Sequence, residues 1–358
     1  MAFDPIQEDC LRLILASMER EQVFPLEDAP FIEQAMEAYR KDPSSLIHTD
    51  SGRAFNLVAR ATESIDYRVP FVLDPAEADR LEGEAESQLR EAVELDPGNW
   101  DAQRMLVALT AKTNADYVSY LRDNEQAVLA DTERACADTS TPYAREYSGD
   151  LARRPYLRWL AALASRSFIA GQYRISLDAA ERCLAFDATD PADVRYTAVL
   201  ALAKLEADPE DIERFRERHA EAYPMETGRG GKAPARVRPD AWTLIAKMNL
   251  AYRELDLDGA TKHLRALMRA YPRAAQPLFY QAEFPDGVFS RISVAPGSED
   301  ELVLAISEAT PLLQEGVGAP DIASFSLWVS DHELVQEQMS LPQAGDGLSL
   351  MRRQGGDN

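Results

Sequence analysis

The feature that most restricts this chain is a unit of two short amphipathic helices, about 33 residues long, that occurs more than once. Pro191 and Pro224 bound one such unit. Between them Val194, Ala198, Ala201 and Leu205 recur at helical spacing, with Val199 and Leu202 widening the apolar face. Asp208-Pro209-Glu210-Asp211 then interrupts the pattern: Asp suits an N-cap, Pro suits the first helical position, and acids complement the first turn. A second helix marked by Ile212, Phe215, Ala220 and Tyr223 follows, and Pro224 opposes its continuation. The same order returns from Asp240 to Pro272. Trp242, Ile245, Met248, Tyr252 and Leu255 give one stripe, Asp256-Leu257-Asp258-Gly259 turns the chain, and Leu264, Leu267, Met268 and Tyr271 give the next. Both units end in Tyr-Pro. Neither pair can bury its apolar face alone, so the pattern predicts stacking on neighbours.

A third unit runs from about Leu157 to Asp190, with Leu160, Leu163, Ala164 and Phe168 before Gly171, then Tyr173, Leu177, Ala180, Cys183 and Leu184. In residues 75–100 Asp74 can cap a helix that carries Ala85, Leu89, Ala92 and Pro97. Those four residues match the second helix of the tetratricopeptide repeat family, which the chain resembles over roughly residues 64–272. Ala260, Leu264, Leu267 and Pro272 fit it less strictly, because Leu267 replaces a small residue. Ser176, Ala180 and Cys183 also fit, but Ala188 stands where the terminal proline belongs. Trp100, Trp159 and Trp242 lie near the starts of first helices, where the family favours an aromatic.

The resemblance implies an all-α fold, a TPR-like superhelix of helical hairpins, whose first helices line a concave side. The family register puts Arg104, Arg158, Lys204 and Arg253 at or near inward positions, one from each of four units. Such a ladder suits the carboxylates of an extended, acidic partner peptide. The Lys and Asn spacing of the family's carboxylate clamp is absent.

Outside the array, residues 1–63 read as atypical helical repeats, with helices over Ile6 to Met18 and Phe31 to Tyr39. Connectors fall near 136–155 and 225–239, where Gly, Pro, Ser and Thr accumulate. Residues 273–345 read as a mixed or helical cap: a short strand over Val288 to Val294, a helix capped by Ser298 with Glu301 as its third residue, and a last helix over Ile322 to Val335. Residues 346–358 read as a flexible tail.

The charge is −23, from 61 Asp plus Glu against 38 Lys plus Arg, which disfavours nucleic acid as a partner. Residues 1–100 hold 22 of the acids and nine of the bases. No apolar run reaches the roughly 18 residues of a transmembrane helix, and the start lacks the pattern of a secretory signal. Cys10, Cys136 and Cys183 are scattered, without C-x-x-C spacing, and read as reduced residues of a cytoplasmic protein.

No catalytic constellation emerges. His48, His219, His263 and His332 are isolated, with no metal-binding spacing, and Asp331-His332 lacks an identified nucleophile. Gly228-Arg229-Gly230-Gly231-Lys232 fails as a P-loop, because Glu226 and Ala233 occupy the places of a glycine and a hydroxyl. It reads as a linker carrying Arg229, Lys232, Arg236 and Arg238. The sequence therefore predicts a non-catalytic adaptor, with no metal or cofactor, that binds a protein or peptide. The alternative is a peptide or small-molecule sensor; an enzyme with its site in residues 273–345 ranks third.

Overall fold

The computed structural model describes residues 4–24, 29–223, 225–226, 236–237, 240–281, 294–295, 297–314 and 324–340. The strand expected over Val288 to Val294, the glycine-rich run at 228–232 and the tail lie outside them, apart from Val294, which is not in a strand.

Eighteen helices occupy the described residues. They are α1 (Pro5–Glu21), α2 (Ala29–Lys41), α3 (Asp50–Thr62), α4 (Pro75–Leu95), α5 (Trp100–Thr110), α6 (Asn114–Ala137), α7 (Pro142–Gly149), α8 (Arg154–Ile169) and α9 (Tyr173–Phe186). They continue as α10 (Val194–Lys204), α11 (Pro209–Arg218), α12 (Ala241–Arg253), α13 (Leu257–Ala270), α14 (Ala275–Tyr280), α15 (Glu299–Glu308), α16 (Thr310–Leu313), α17 (Phe325–Asp331) and α18 (Glu333–Ser340). Between α11 and α12 two residue pairs form a minimal antiparallel ladder, Met225 opposite Val237 and Glu226 opposite Arg236, inside what the sequence reads as a plain connector.

The helices fall into two compact units: α1 to α10 with α11 from Glu213 onward, and α12 to α18 with residues Glu206–Ile212. In the first unit α3 pairs with α4, α4 touches α5, α6 touches α8, α8 pairs with α9, and α9 touches α10. Close approach depends on small side chains. Ala54, Ala61, Ala85, Ala92 and Ala102 are all fully buried in one cluster, where Leu57, Val58 and Leu89 fill the space between backbones. A second cluster joins α1, α2 and α7 through Ile14, Met18, Ala35 and Tyr143. The second unit pairs α12 with α13 and packs α12 on α15, with the Trp242 indole donating to Glu308 at 2.7 Å.

Local capping accounts for most helix starts. Asp74 accepts from the Ala76 amide at 3.1 Å, Asp240 from Thr243 at 2.8 Å, Asp256 from Gly259 at 2.9 Å and Ser298 from Glu301 at 3.1 Å. Thr141 and Pro142 start α7 in the stretch read as a connector, and the Tyr143 hydroxyl, donating to the Val23 carbonyl at 3.2 Å, anchors it. The last helix of the sequence reading is two, α17 and α18. His332 is extended between them, and its Nδ1 accepts from the Leu334 amide at 3.2 Å.

One turn is shared by three hairpins. The second residue after α8, α10 and α12, respectively Gly171, Glu206 and Leu255, adopts left-handed φ values of 74°, 58° and 61°. After α8 and α12 the six-residue closing bond of this cap is present, from Gln172 to the Ser167 carbonyl at 2.8 Å and from Asp256 to Ala251 at 2.9 Å. Only Gly171 adopts this conformation without a side-chain penalty. Leu255 is 82% exposed, so its side chain contributes little packing to offset a strain of about 1 kcal/mol. Leu255→Gly is expected to stabilise the second unit by about 0.5–1 kcal/mol, since greater unfolded-state freedom returns part of the gain. Thermal melts check this; a lower midpoint would contradict the strain.

Candidate functional site

The most highly charged interior of the first unit is built around Glu8. Asp4 caps α1, accepting from the Ile6 and Gln7 amides at 2.9 and 3.1 Å, and Glu8 and Asp9 then fall on the stripe that Leu13, Ile14, Ser17 and Met18 continue. Both carboxylates are fully buried. Glu8 Oε1 accepts from Arg12 Nε and Nη2 at 2.9 and 2.7 Å, while Oε2 accepts from Arg158 Nη1 at 2.7 Å and Arg154 Nη1 at 3.2 Å. Arg158 turns its Nε to Asp101 Oδ1 at 2.7 Å, and Arg104 lies 3.5 Å from that same oxygen. Arg12 also donates to the Tyr147 hydroxyl at 2.7 Å and lies 4.1 Å from the centre of the Phe55 ring. Ionic and ring contacts thus join α1, α3, α5, α7 and α8.

Burial pushes the Glu8 carboxyl up, but the Arg158 and Arg12 charges and hydrogen bonds outweigh it and bring its pKa down to about 2. Asp101 is lowered for the same reason, burial opposed by Arg158. Asp9 goes the other way: burial raises it against hydrogen bonds from Asn56 at 2.7 Å and Tyr39 at 2.8 Å. Adjacent acids of α1 therefore differ: arginines bring one down, while burial raises the other.

The four basic residues expected to line a concave face have different neighbours. Arg104 and Arg158 meet on Asp101, where Arg158 is also bound to Glu8. Lys204 sits at the end of α10 with its ammonium 5.1 Å from the centre of the Tyr173 ring on α9. Arg253, in the second unit, pairs with Glu206. Sequence reasoning found Arg104 and Arg158 but missed Glu8, Arg12, Arg154 and Asp101. The available signal was an acid pair on the apolar stripe of α1, with Arg12 one turn after Glu8.

Among the described residues, Thr261 and His332 pair a hydroxyl with an imidazole, Oγ1 to Nε2 3.0 Å apart. Nδ1 accepts from Leu334, so in the neutral ring Nε2 carries the proton and donates to Thr261. That polarity is opposite to the one a general base on Thr261 requires. His219 lies tilted against Phe215 at 4.7 Å between ring centres, and its Nε2 has no hydrogen-bond partner among the described residues. No group of metal-ligating side chains and no helix long and apolar enough to cross a membrane occurs among the described residues.

Among the described residues, an exposed apolar segment joins α3 to α4. A π-helical turn, Glu63–Arg68, and a 3₁₀ turn, Val69–Phe71, replace the tight turns of the later hairpins. Tyr67 is 41% exposed, Phe71 57% and Leu73 98%. Around them residues 63–79 carry five acids, Glu63, Asp66, Asp74, Glu77 and Asp79, and one base, Arg68. Comparison with protein-family models, with curated proteins and with solved structures gives no significant match.

Proposed function

We propose that this chain is a non-catalytic protein-interaction scaffold, a stack of helical hairpins of the tetratricopeptide type, that docks a partner segment on the α3–α4 connection. The observation that carries the reading is the exposure of Tyr67, Phe71 and Leu73 within seven residues. Clustered exposed apolar side chains of this size are uncommon on monomers and mark interaction surfaces, where aromatics act as anchors. The acidic surroundings favour a partner with apolar side chains flanked by Lys or Arg. An acidic partner at Arg104 and Arg158 is less favoured, because Glu8 and Asp101 already compensate those guanidinium groups.

Peptide display against the immobilised full chain tests this. Enriched peptides should combine apolar and basic residues and lose at least tenfold in affinity against Phe71→Glu and Leu73→Glu, whose melts should match the parent. Enrichment of acidic peptides, or binding unchanged in both variants, would reject the surface.

A further inference from the structure

The chain itself carries a segment with the chemistry that its α3–α4 connection selects. Gly347-Leu348-Ser349-Leu350-Met351-Arg352-Arg353 joins three large apolar side chains to two adjacent cations, with no acid among these residues. We infer that this segment of a second copy docks on the α3–α4 connection, so that copies of the chain join head to tail. The inference rests on the reading of that connection as a docking surface and names its occupant.

Charge brings the two together first. Residues 63–79 hold five acids against one base, and Glu63, Asp74 and Asp79 are exposed there, so the paired arginines meet an excess of carboxylates. Apolar content matches as well. Phe71 at 57% and Leu73 at 98% exposure have most of their surface left to bury, and the unbranched Met351 adapts to an irregular aromatic surface. The combination is also selective within this sequence. Among the other stretches outside the described residues, 227–235 carries Arg229 and Lys232 without a large apolar side chain. Residues 282–293 place Phe284 and Phe289 in a run with Glu283 and Asp286, whose charges the acidic connection repels, and 315–323 holds no base. The described residues of the same chain leave Leu73 almost fully exposed, and a second copy presents both halves of the contact. Such a contact is heterologous: each added copy leaves one segment and one connection open for the next.

Sedimentation velocity of the full chain, from about 1 to about 200 µM, reads the contact. The mean mass is expected to rise with concentration beyond that of a dimer. Phe71→Glu, which alters the receiving side, and a chain carrying both Arg352→Glu and Arg353→Glu, which alters the incoming side, should each weaken association at least tenfold, with melts that match the parent. Mixed in equal amounts, the two variants regain one intact contact between them and should form dimers but nothing larger. A parent that stays monomeric at about 200 µM, variants that associate as the parent does, or a mixture that stays monomeric would overturn the proposal. A synthetic peptide of residues 345–356, titrated into the chain with reversed arginines, separates this failure from that of the docking surface. Saturable binding that is lost with Phe71→Glu is expected. No saturation by about 1 mM, while display-selected peptides still bind in a Phe71-dependent way, would overturn the segment and leave the surface standing; binding by neither would overturn both.

Discussion

Glu8→Gln is expected to destabilise the first unit by about 3–5 kcal/mol, lowering its melting midpoint by roughly 10 °C. The substitution keeps the shape of the side chain and removes the charge that faces Arg12, Arg154 and Arg158. Those guanidinium groups remain mostly buried, and Asp101 cannot compensate them all. The pH dependence has a definite sign. Glu8 lies at about 2 in the folded chain against an ordinary 4.5, so its contribution is complete above pH 4.5 and is lost as pH falls toward 2. Asp101, also lowered, acts in the same sense. Asp9, raised, contributes stability at low pH that is lost as pH rises through its folded value. Urea midpoints should therefore separate parent and Glu8→Gln widely at pH 7 and much less at pH 3. A constant gap would contradict an ionised Glu8.

Trp159→Ala is expected to cost about 3–5 kcal/mol. The indole is fully buried where α5, α6 and α8 meet. It donates to the Leu121 carbonyl at 2.9 Å, meets Trp100 edge-on at 5.7 Å between ring centres and lies 5.9 Å from Tyr120. Its removal opens a cavity that fixed helices on three sides cannot close. Trp100, partly exposed and tied to Asp131 at 2.9 Å, should cost less as Trp100→Ala. Denaturation followed by circular dichroism ranks the two; equal losses would contradict a central Trp159.

The sequence carries its local physics openly and its distant pairings poorly. Helix starts at Pro75, Ala241, Leu257 and Glu299 follow from a capping side chain one residue earlier, and Ala85, Leu89 and Ala92 announce a close helix contact by size alone. The family register put Arg104 and Arg158 at or near inward positions. It did not show what they face, because Glu8 pairs with Arg158 across 150 positions and no spacing rule links them. The shared hairpin turn was hidden for a different reason. The residues at 171, 206 and 255 are all left-handed, and only the first is glycine, so residue type did not mark the turn. The helix α7 was read as part of a connector because Thr, Ser, Pro and Gly accumulate around it, and its anchor Tyr143 packs on Phe24 from a remote part of the chain.

The central claim is that the inner arginines are committed to buried acids of the same chain. A double-mutant cycle of Glu8→Gln and Arg158→Gln, read from urea unfolding at pH 7, tests it most directly. A coupling energy of about 1.5 kcal/mol or more is predicted, with the double variant losing less than the two single losses together. Losses that add within about 0.5 kcal/mol would show that the pair does not hold α1 to α8 and would return Arg158 to the candidates for binding a partner.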